Sequence, residues 1–233
     1  MKKPEQQAIK ISDDLAKKMN NVAHHYDHAD KVRKVAIELV KSEKLSGRDL
    51  FLIEIAALWH DIGLDYVDDR SKHPEKSGEI FLDTFTDVNI FSEQEKETVV
   101  FLLKYHDKYQ QAKSTSSNER LLKLLRIIVD ADTLELLGQR GYERAVETAK
   151  SRNWPEYDKE KPLGETCNFN SKQFDERFAL KREGKLVSAI EPTLVGQINF
   201  QISCSDLLFT DAAKRMSENG VQFLKDKIRE IIG

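Results

Sequence analysis

Residues 48–64, RDLFLIEIAALWHDIGL, decide the fold. Between Leu50 and Trp59 only Glu54 is charged, so a helix here has no polar face to turn to water. A helix that is apolar nearly all round is buried on every side. The stretch therefore predicts a central helix over about 48–60 with other helices packed around it. It ends in His60 and Asp61, which sets two ionisable groups at the mouth of the following loop.

Outward from this segment the apolar residues keep helical spacing. On the N-terminal side the pattern predicts a helix near 12–25, opened by Ser12-Asp13, and a second over about 28–45, ended by Gly47. On the other side a loop, DIGLDYVDDRSKHP, leads to Pro74, which suits the first turn of a helix to about 85. Further helices are predicted near 92–106, 118–137 and 139–150. The stretch 151–170, with two prolines and mixed charges, reads as a long loop. Helical signal returns near 171–181, LVSAIEPTLVG at 186–196 is ambiguous, and a last amphipathic helix spans about 205–232. No repeat and no strand-like alternation emerges. The expected fold is all-α: a helical core over 1–150, and a C-terminal extension, 151–233, packed on it rather than folding independently.

Acids and histidines sit on stripes that should be core. His28, Val32, Val35 and Leu39 share one helical face, and Val99, Leu102, Leu103 and His106 another. Leu121, Leu125, Ile128, Asp132 and Leu136 form a third. Asp130 lies off that stripe and is expected to pair with Arg126 or cap locally. His25 and His28 stand three residues apart, with His24 and His25 expected at the end of the preceding helix, one of them orienting a neighbour. An inward carboxylate without a partner is costly and finds a proton or a cation. A divalent cation held by His28, His60, Asp61 and Asp132 resolves that cost, and two imidazoles with two carboxylates suit Mn, Fe or Zn.

Bulk composition excludes several classes. The 233 residues carry a net charge of −3, so no basic field marks a nucleic-acid binder. The 2 cysteines, Cys167 and Cys204, have no CxxC spacing, which argues against a thiolate zinc site and for a reducing compartment. The basic start MKKPEQQAIKISDD has no apolar region of a signal peptide, and no run approaches the roughly 20 apolar residues of a membrane span. A cytoplasmic protein without membrane partner is expected, its oligomeric state open between monomer and homodimer. No GxSxG elbow, Walker loop or dinucleotide fingerprint is present.

The set HADKV (His28), ALWHDIGL (His60, Asp61) and IVDADTLELLG (Asp132) resembles the H…HD…D pattern of the HD superfamily of metal-dependent phosphohydrolases, over about residues 20–145. It is most similar to small bacterial stand-alone HD proteins, with Gly138, Gly141 and Arg144 at matching places. The resemblance implies an HD-type helical bundle that hydrolyses a phosphate ester or anhydride, with a nucleotide as substrate. It also implies a divalent metal, manganese foremost with Fe, Ni, Co, Zn or Mg as alternatives, that lowers the pKa of a bound water. Asp61 would share ligation with steering that water. Arg70, Lys72 and Arg144 would hold phosphate oxygens, against the plainer reading of solvated surface charge. Two positions depart from the pattern: Thr133 replaces a frequent Arg or Lys, and Leu64 replaces a Glu that some HD nucleotidases use, leaving Asp65 as the nearest substitute acid.

HPEKSGEIF, with His73, resembles the HP…G motif of two-metal HD phosphodiesterases, and His106 lies where another ligand falls. The interval is shorter than in those enzymes, and Asp107 and Lys108 follow His106 in place of their paired histidines and glutamate. His73 and His106 thus stand as ligands of a second metal or, alternatively, as groups supporting the first site or touching substrate; His73 also reads as an ordinary residue at a helix start. Two other functions remain open: a di-iron HD-type oxygenase of a small molecule, and a non-catalytic, metal-stabilised binding or sensor module.

Overall fold

The computed structural model describes residues 3–19, 26–86, 88–160 and 191–233, and among these it contains helices and turns but no strand. The chain divides into two compact units, Met1–Asp132 and Thr133–Gly233. The first contains α1 (Lys3–Ala16), α2 (Tyr26–Ser42), α3 (Gly47–Trp59), α4 (His73–Thr84), α5 (Glu93–Tyr105), α6 (Tyr109–Thr115) and nearly all of α7 (Glu119–Leu134). Short 3-10 turns at Ile62–Tyr66 and Arg70–Lys72 carry the chain from α3 to α4. The fold is all-α, and α3 is its centre: every residue from Phe51 to Trp59 is buried.

Aromatic rings lock α3 against α4 and the start of α5. Trp59 meets Phe81 edge-on at 5.5 Å and Phe85 at 5.9 Å, and Phe91 stacks on Phe51 at 5.2 Å and meets Phe85 at 5.0 Å. Each such ring contributes about 1.5–3 kcal/mol by leaving water. Charged forks fix the helices at their rims. Arg48 donates Nε–H to Glu95 at 2.5 Å, Nη1–H to Glu5 at 2.8 Å and Nη2–H to the Ile90 carbonyl at 2.8 Å, joining α1, α3 and α5. The hydrogen bond from Arg48 holds the Glu95 carboxyl down at about 2. Arg120 likewise ties α7 to Asp49 of α3 at 2.6 Å.

Several expected boundaries shift. Ser12 does not open α1; it lies buried inside it, donating to the Ala8 carbonyl at 2.8 Å and accepting the Trp59 indole N–H at 2.8 Å. A serine before an apolar run looks like a cap, but here the apolar partner is on another helix. Gly47 does not end α2: Lys44 does, in a left-handed conformation with φ 51°, and the next helix is capped by Ser46, whose Oγ accepts from Asp49 N at 3.0 Å. Helix α6 has a single buried residue, Ala112, which explains its weak sequence signal.

The second unit contains α8 (Gly138–Ser151), then α9 (Leu194–Cys204) and α10 (Asp211–Ile232). The ambiguous LVSAIEPTLVG segment ends in α9, opened by Thr193, which accepts from Gly196 N at 2.8 Å. Its core includes Leu137, Ala145, Val195, Ile198 and Leu224. Gly141 is obligatory because a Cβ there would lie 1.9 Å from the Leu136 carbonyl oxygen. The helix expected at 171–181, Cys167, His24, His25 and the second half, 161–170, of the expected 151–170 loop lie outside the described residues. Among those described, no helix is long and apolar enough to cross a membrane.

Phe81→Ala should lower the free energy of unfolding by about 3–5 kcal/mol, whereas Leu82→Ala, at a side chain 39% exposed, should stay within about 0.5 kcal/mol. Urea denaturation of the two variants checks whether the aromatic cluster is the core.

Candidate metal centre

Five of the six residues that converge in the first unit sit at or next to a helix end, where backbone groups lack intrahelical partners. His60 follows the last residue of α3, His106 follows α5, His73 begins α4, and Asp132 lies in the last turn of α7. His28 stands in the first turn of α2. A common device orients three of the rings. Nδ1 of His60, His73 and His106 meets the carbonyl three residues upstream: Ala57 at 2.8 Å, Arg70 at 2.6 Å and Leu103 at 2.7 Å. A carbonyl oxygen only accepts, so Nδ1 carries the hydrogen and each neutral ring presents a lone pair at Nε2.

Those Nε2 atoms point at one another. His28 Nε2 lies 3.2 Å from His60 Nε2, and Asp132 Oδ1 is 3.2 and 3.9 Å from the two. Asp61 Oδ2 lies 3.2 Å from His60 Nε2 and 3.6 Å from His28 Nε2. On its other side Asp61 Oδ1 lies 3.2 Å from His73 Nε2 and 3.8 Å from His106 Nε2, which are themselves 3.2 Å apart. Two groups result, His28–His60–Asp132 and Asp61–His73–His106, each with donor atoms mutually within 4.8 Å. Donors bound at about 2.1 Å around one ion lie about 3.0–3.5 Å apart, so these spacings fit a cation in each. At the His73–His106 pair both Nδ1 atoms hold the hydrogen, so the facing Nε2 lone pairs cannot hydrogen-bond to each other and a proton or a metal ion must lie between them.

Electrostatics say the same. Burial works against a charged His60, yet Asp61 and Asp132 outweigh it and push the ring up to about 9. His28 and His73 are also raised against the opposing effect of burial, His28 by Asp132 and Asp61, His73 chiefly by Asp61. Burial would raise Asp132, but His28 and His60 hold it far below the usual carboxylate range. His106 moves the other way, lowered by burial and then by the positive charge of His60. The pocket concentrates negative charge that a cation would neutralise.

The remaining expected residues occupy the rim or lie elsewhere. Asp132 has a side chain 35% exposed and lines the mouth, whereas Asp130 is fully buried. The stripe through Leu121 and Leu136 is buried at its centre, Leu125 and Ile128, and emerges at its ends, while the enclosed face of α7 also takes in Leu124, Ile127 and Ala131. Arg126 gives its Nε–H to the Tyr109 hydroxyl at 2.6 Å. Asp65, Arg70 and Lys72 are exposed on the turns between Asp61 and His73. Arg144 is half-buried on α8 of the second unit.

One supporting contact escaped the sequence reading. Gly63 N–H donates to Ser77 Oγ at 2.9 Å, and Ser77 Oγ–H donates to the His60 carbonyl at 3.1 Å. This latch draws the start of α4 so close that a Cβ on Gly63 would lie 2.2 Å from the His73 carbonyl oxygen. The glycine two residues after Asp61 was its one visible signal.

Comparison with known proteins agrees with this architecture. The HD domain family model matches residues 21–137. No curated protein matches the sequence. An HD-superfamily hydrolase from Bacillus thuringiensis is similar at 19% identity and TM-score 0.65, covering 98% of this chain and 96% of that one. A Lactobacillus plantarum protein is similar at 16% identity and TM-score 0.66, covering 99% and 96%. Bacillus subtilis YpgQ, in complex with ADP, is similar at 16% identity and TM-score 0.60, covering 98% and 93%. At these identities the likeness shows the shared fold.

Because the folded His60 sits at about 9 and an unfolded histidine near 6.5, its contribution to the metal-free protein is full below pH 6.5 and lost as pH rises through 9. Unfolding free energy without metal should fall by on the order of 3 kcal/mol across that window. With saturating metal the fall should vanish, since the cation replaces the proton; denaturation at pH 6.5, 7.5 and 9 reads both. Gly63→Ala should weaken metal binding by about 10–100-fold, as for loss of a group that orients a ligand, measured by competition with a chromogenic chelator.

Proposed function

The chain belongs to the HD-domain family, and from that premise we propose that it is a metal-dependent phosphohydrolase that cleaves a phosphate ester or anhydride, with a nucleotide as the substrate class. The observation that carries this reading is the two-sided placement of Asp61, one carboxylate oxygen toward His28 and His60 and the other toward His73 and His106. Divalent cations held by these residues, with manganese the expected ion, would supply Lewis-acid charge at a phosphoryl oxygen and a nucleophile at neutral pH. The nucleotide is supported by the ADP in the YpgQ structure.

In this reading His28, His60, Asp61 and Asp132 hold the first ion, and Asp61, His73 and His106 hold the second. The carbonyls of Ala57, Arg70 and Leu103 keep the hydrogen on Nδ1, so the Nε2 lone pairs stay available as donors. Buried His28, His60 and His106 exclude water from the inner wall, and half-exposed Asp132 leaves the approach open. Asp65, exposed on the turn after Asp61, is the group proposed to exchange a proton with solvent at its carboxylate, and Arg70 and Lys72 on the next turn are proposed phosphate contacts. The two-cluster arrangement also suits a pair of irons, which makes a di-iron oxygenase the second reading.

Manganese-supplemented wild type should release phosphate or pyrophosphate from members of a nucleotide and phosphate-ester panel, and Asp61→Ala should lose at least about a hundredfold in rate. His106→Ala should bind one manganese where the wild type binds two, by elemental analysis. No hydrolysis by the wild type with Mn, Mg, Ni, Co or Fe, together with iron-dependent O₂ uptake, would replace the phosphohydrolase by the oxygenase. Neither activity would leave the binding module.

A further inference from the structure

Each histidine of the second cluster is followed two residues later by a charged residue, and these two face each other. Glu75 follows His73 and Lys108 follows His106, with Lys108 Nζ 3.7 Å from Glu75 Oε2 and 3.8 Å from Asp107 Oδ1. Two residues of chain span at most about 7 Å, so the backbone of each partner stays within about 7 Å of its histidine's.

We propose that Lys108 is an anion subsite for the second cluster, binding a phosphoryl oxygen of the substrate, with Glu75 and Asp107 holding its ammonium in place until substrate arrives. The inference rests on the phosphohydrolase reading above. Three observations carry it. First, both carboxylates stand beyond the 2.7–3.2 Å of a hydrogen bond, unlike Lys76–Glu79 and Lys96–Glu93, both at 2.9 Å. The ammonium is attracted to both and bonded to neither, so its N–H donors are available to an incoming oxygen.

Second, the backbone of Lys108 is fixed on both sides: its N–H donates to the Tyr105 carbonyl at 3.0 Å and its carbonyl accepts from Ala112 N at 3.0 Å. The flexible four-carbon stem is then the one part that moves. Third, the Lys108 side chain is 28% exposed, against 74% for Lys72, the lysine that sequence alone had singled out. A partly packed lysine loses less freedom on binding than one already in water. Glu75 and Asp107 are 46% and 39% exposed, so both return to solvent cheaply when the ammonium turns away.

The test uses the full manganese-loaded chain and inorganic phosphate as the probe, by isothermal titration calorimetry. Lys108→Gln is expected to weaken phosphate binding about tenfold, as for loss of one charge-assisted contact, and Lys108→Arg to stay within about threefold of wild type. Glu75→Gln should tighten phosphate severalfold by removing the competing carboxylate. Lys123→Gln, which removes a surface charge paired with Glu43, should change nothing. Manganese stoichiometry should be the same in all four variants, which separates the subsite from metal loss or misfolding. In hydrolysis, Lys108→Gln should raise KM about tenfold with kcat within about twofold.

Equal phosphate affinity in wild type and Lys108→Gln, or no phosphate binding by the wild type, overturns the subsite. Phosphate binding that depends on Lys108 in a protein that hydrolyses nothing keeps the subsite and removes the phosphohydrolase reading. Hydrolysis with a KM indifferent to Lys108→Gln does the reverse.

Discussion

Everything near the centre of the first unit answers to one constraint: four imidazole nitrogens are held face to face, in two pairs, around a buried carboxylate. His28 and His60 oppose at 3.2 Å, His73 and His106 at 3.2 Å, and Asp61 lies between the pairs. Nothing in this arrangement is stable without positive charge. A fold that buries apolar residues as thoroughly as α3 does could have placed leucines there and gained stability. Keeping two carboxylates and four imidazoles together is a cost with a chemical purpose, and the aromatic cluster behind α3 together with the Arg48 and Arg120 forks is the rigid wall that sustains it.

The orientation of the site comes from ordinary helix chemistry. A helix end has carbonyls with no N–H to receive, and the rings of His60 and His106, placed just past α3 and α5, supply one to the carbonyl three residues back. The ring is thereby capped and aimed in a single contact. His73 repeats the device on a 3-10 turn. The Gly63–Ser77 latch then fixes the spacing between the turn that carries Asp61 and the helix that carries His73. Rigidity at a metal site is often sought in the ligands; here it resides in the backbone carbonyls behind them.

The sequence made much of this legible because burial and chemistry coincide in it. Leu50–Trp59 could only be a core helix, and His60-Asp61 at its end could only point at the interior. Where periodicity is the sole guide it misleads by a fraction of a turn. Asp132 belongs to a stripe whose middle, Leu125 and Ile128, is buried, yet Leu121 and Leu136 at its ends are half-buried, so Asp132 stands where the stripe emerges and Asp130 is the enclosed acid. Ser12 mimicked a cap because its true partner, the Trp59 indole, is 47 residues away. The Ser77 latch and the Lys108–Glu75 pair are likewise contacts between distant residues, and no local pattern encodes them. Whether His73 and His106 meet was undecidable from spacing, since it depends on the angle at which α4 returns along α5.

Every one of the six converging groups belongs to the segment Met1–Asp132, and Asp132 is its last residue. A ribosome making about 5–20 residues per second delivers His28 first and Asp132 last, about 5–20 seconds apart. The Asp61–His73–His106 group is complete well before that moment, whereas the His28–His60–Asp132 group waits for its final aspartate.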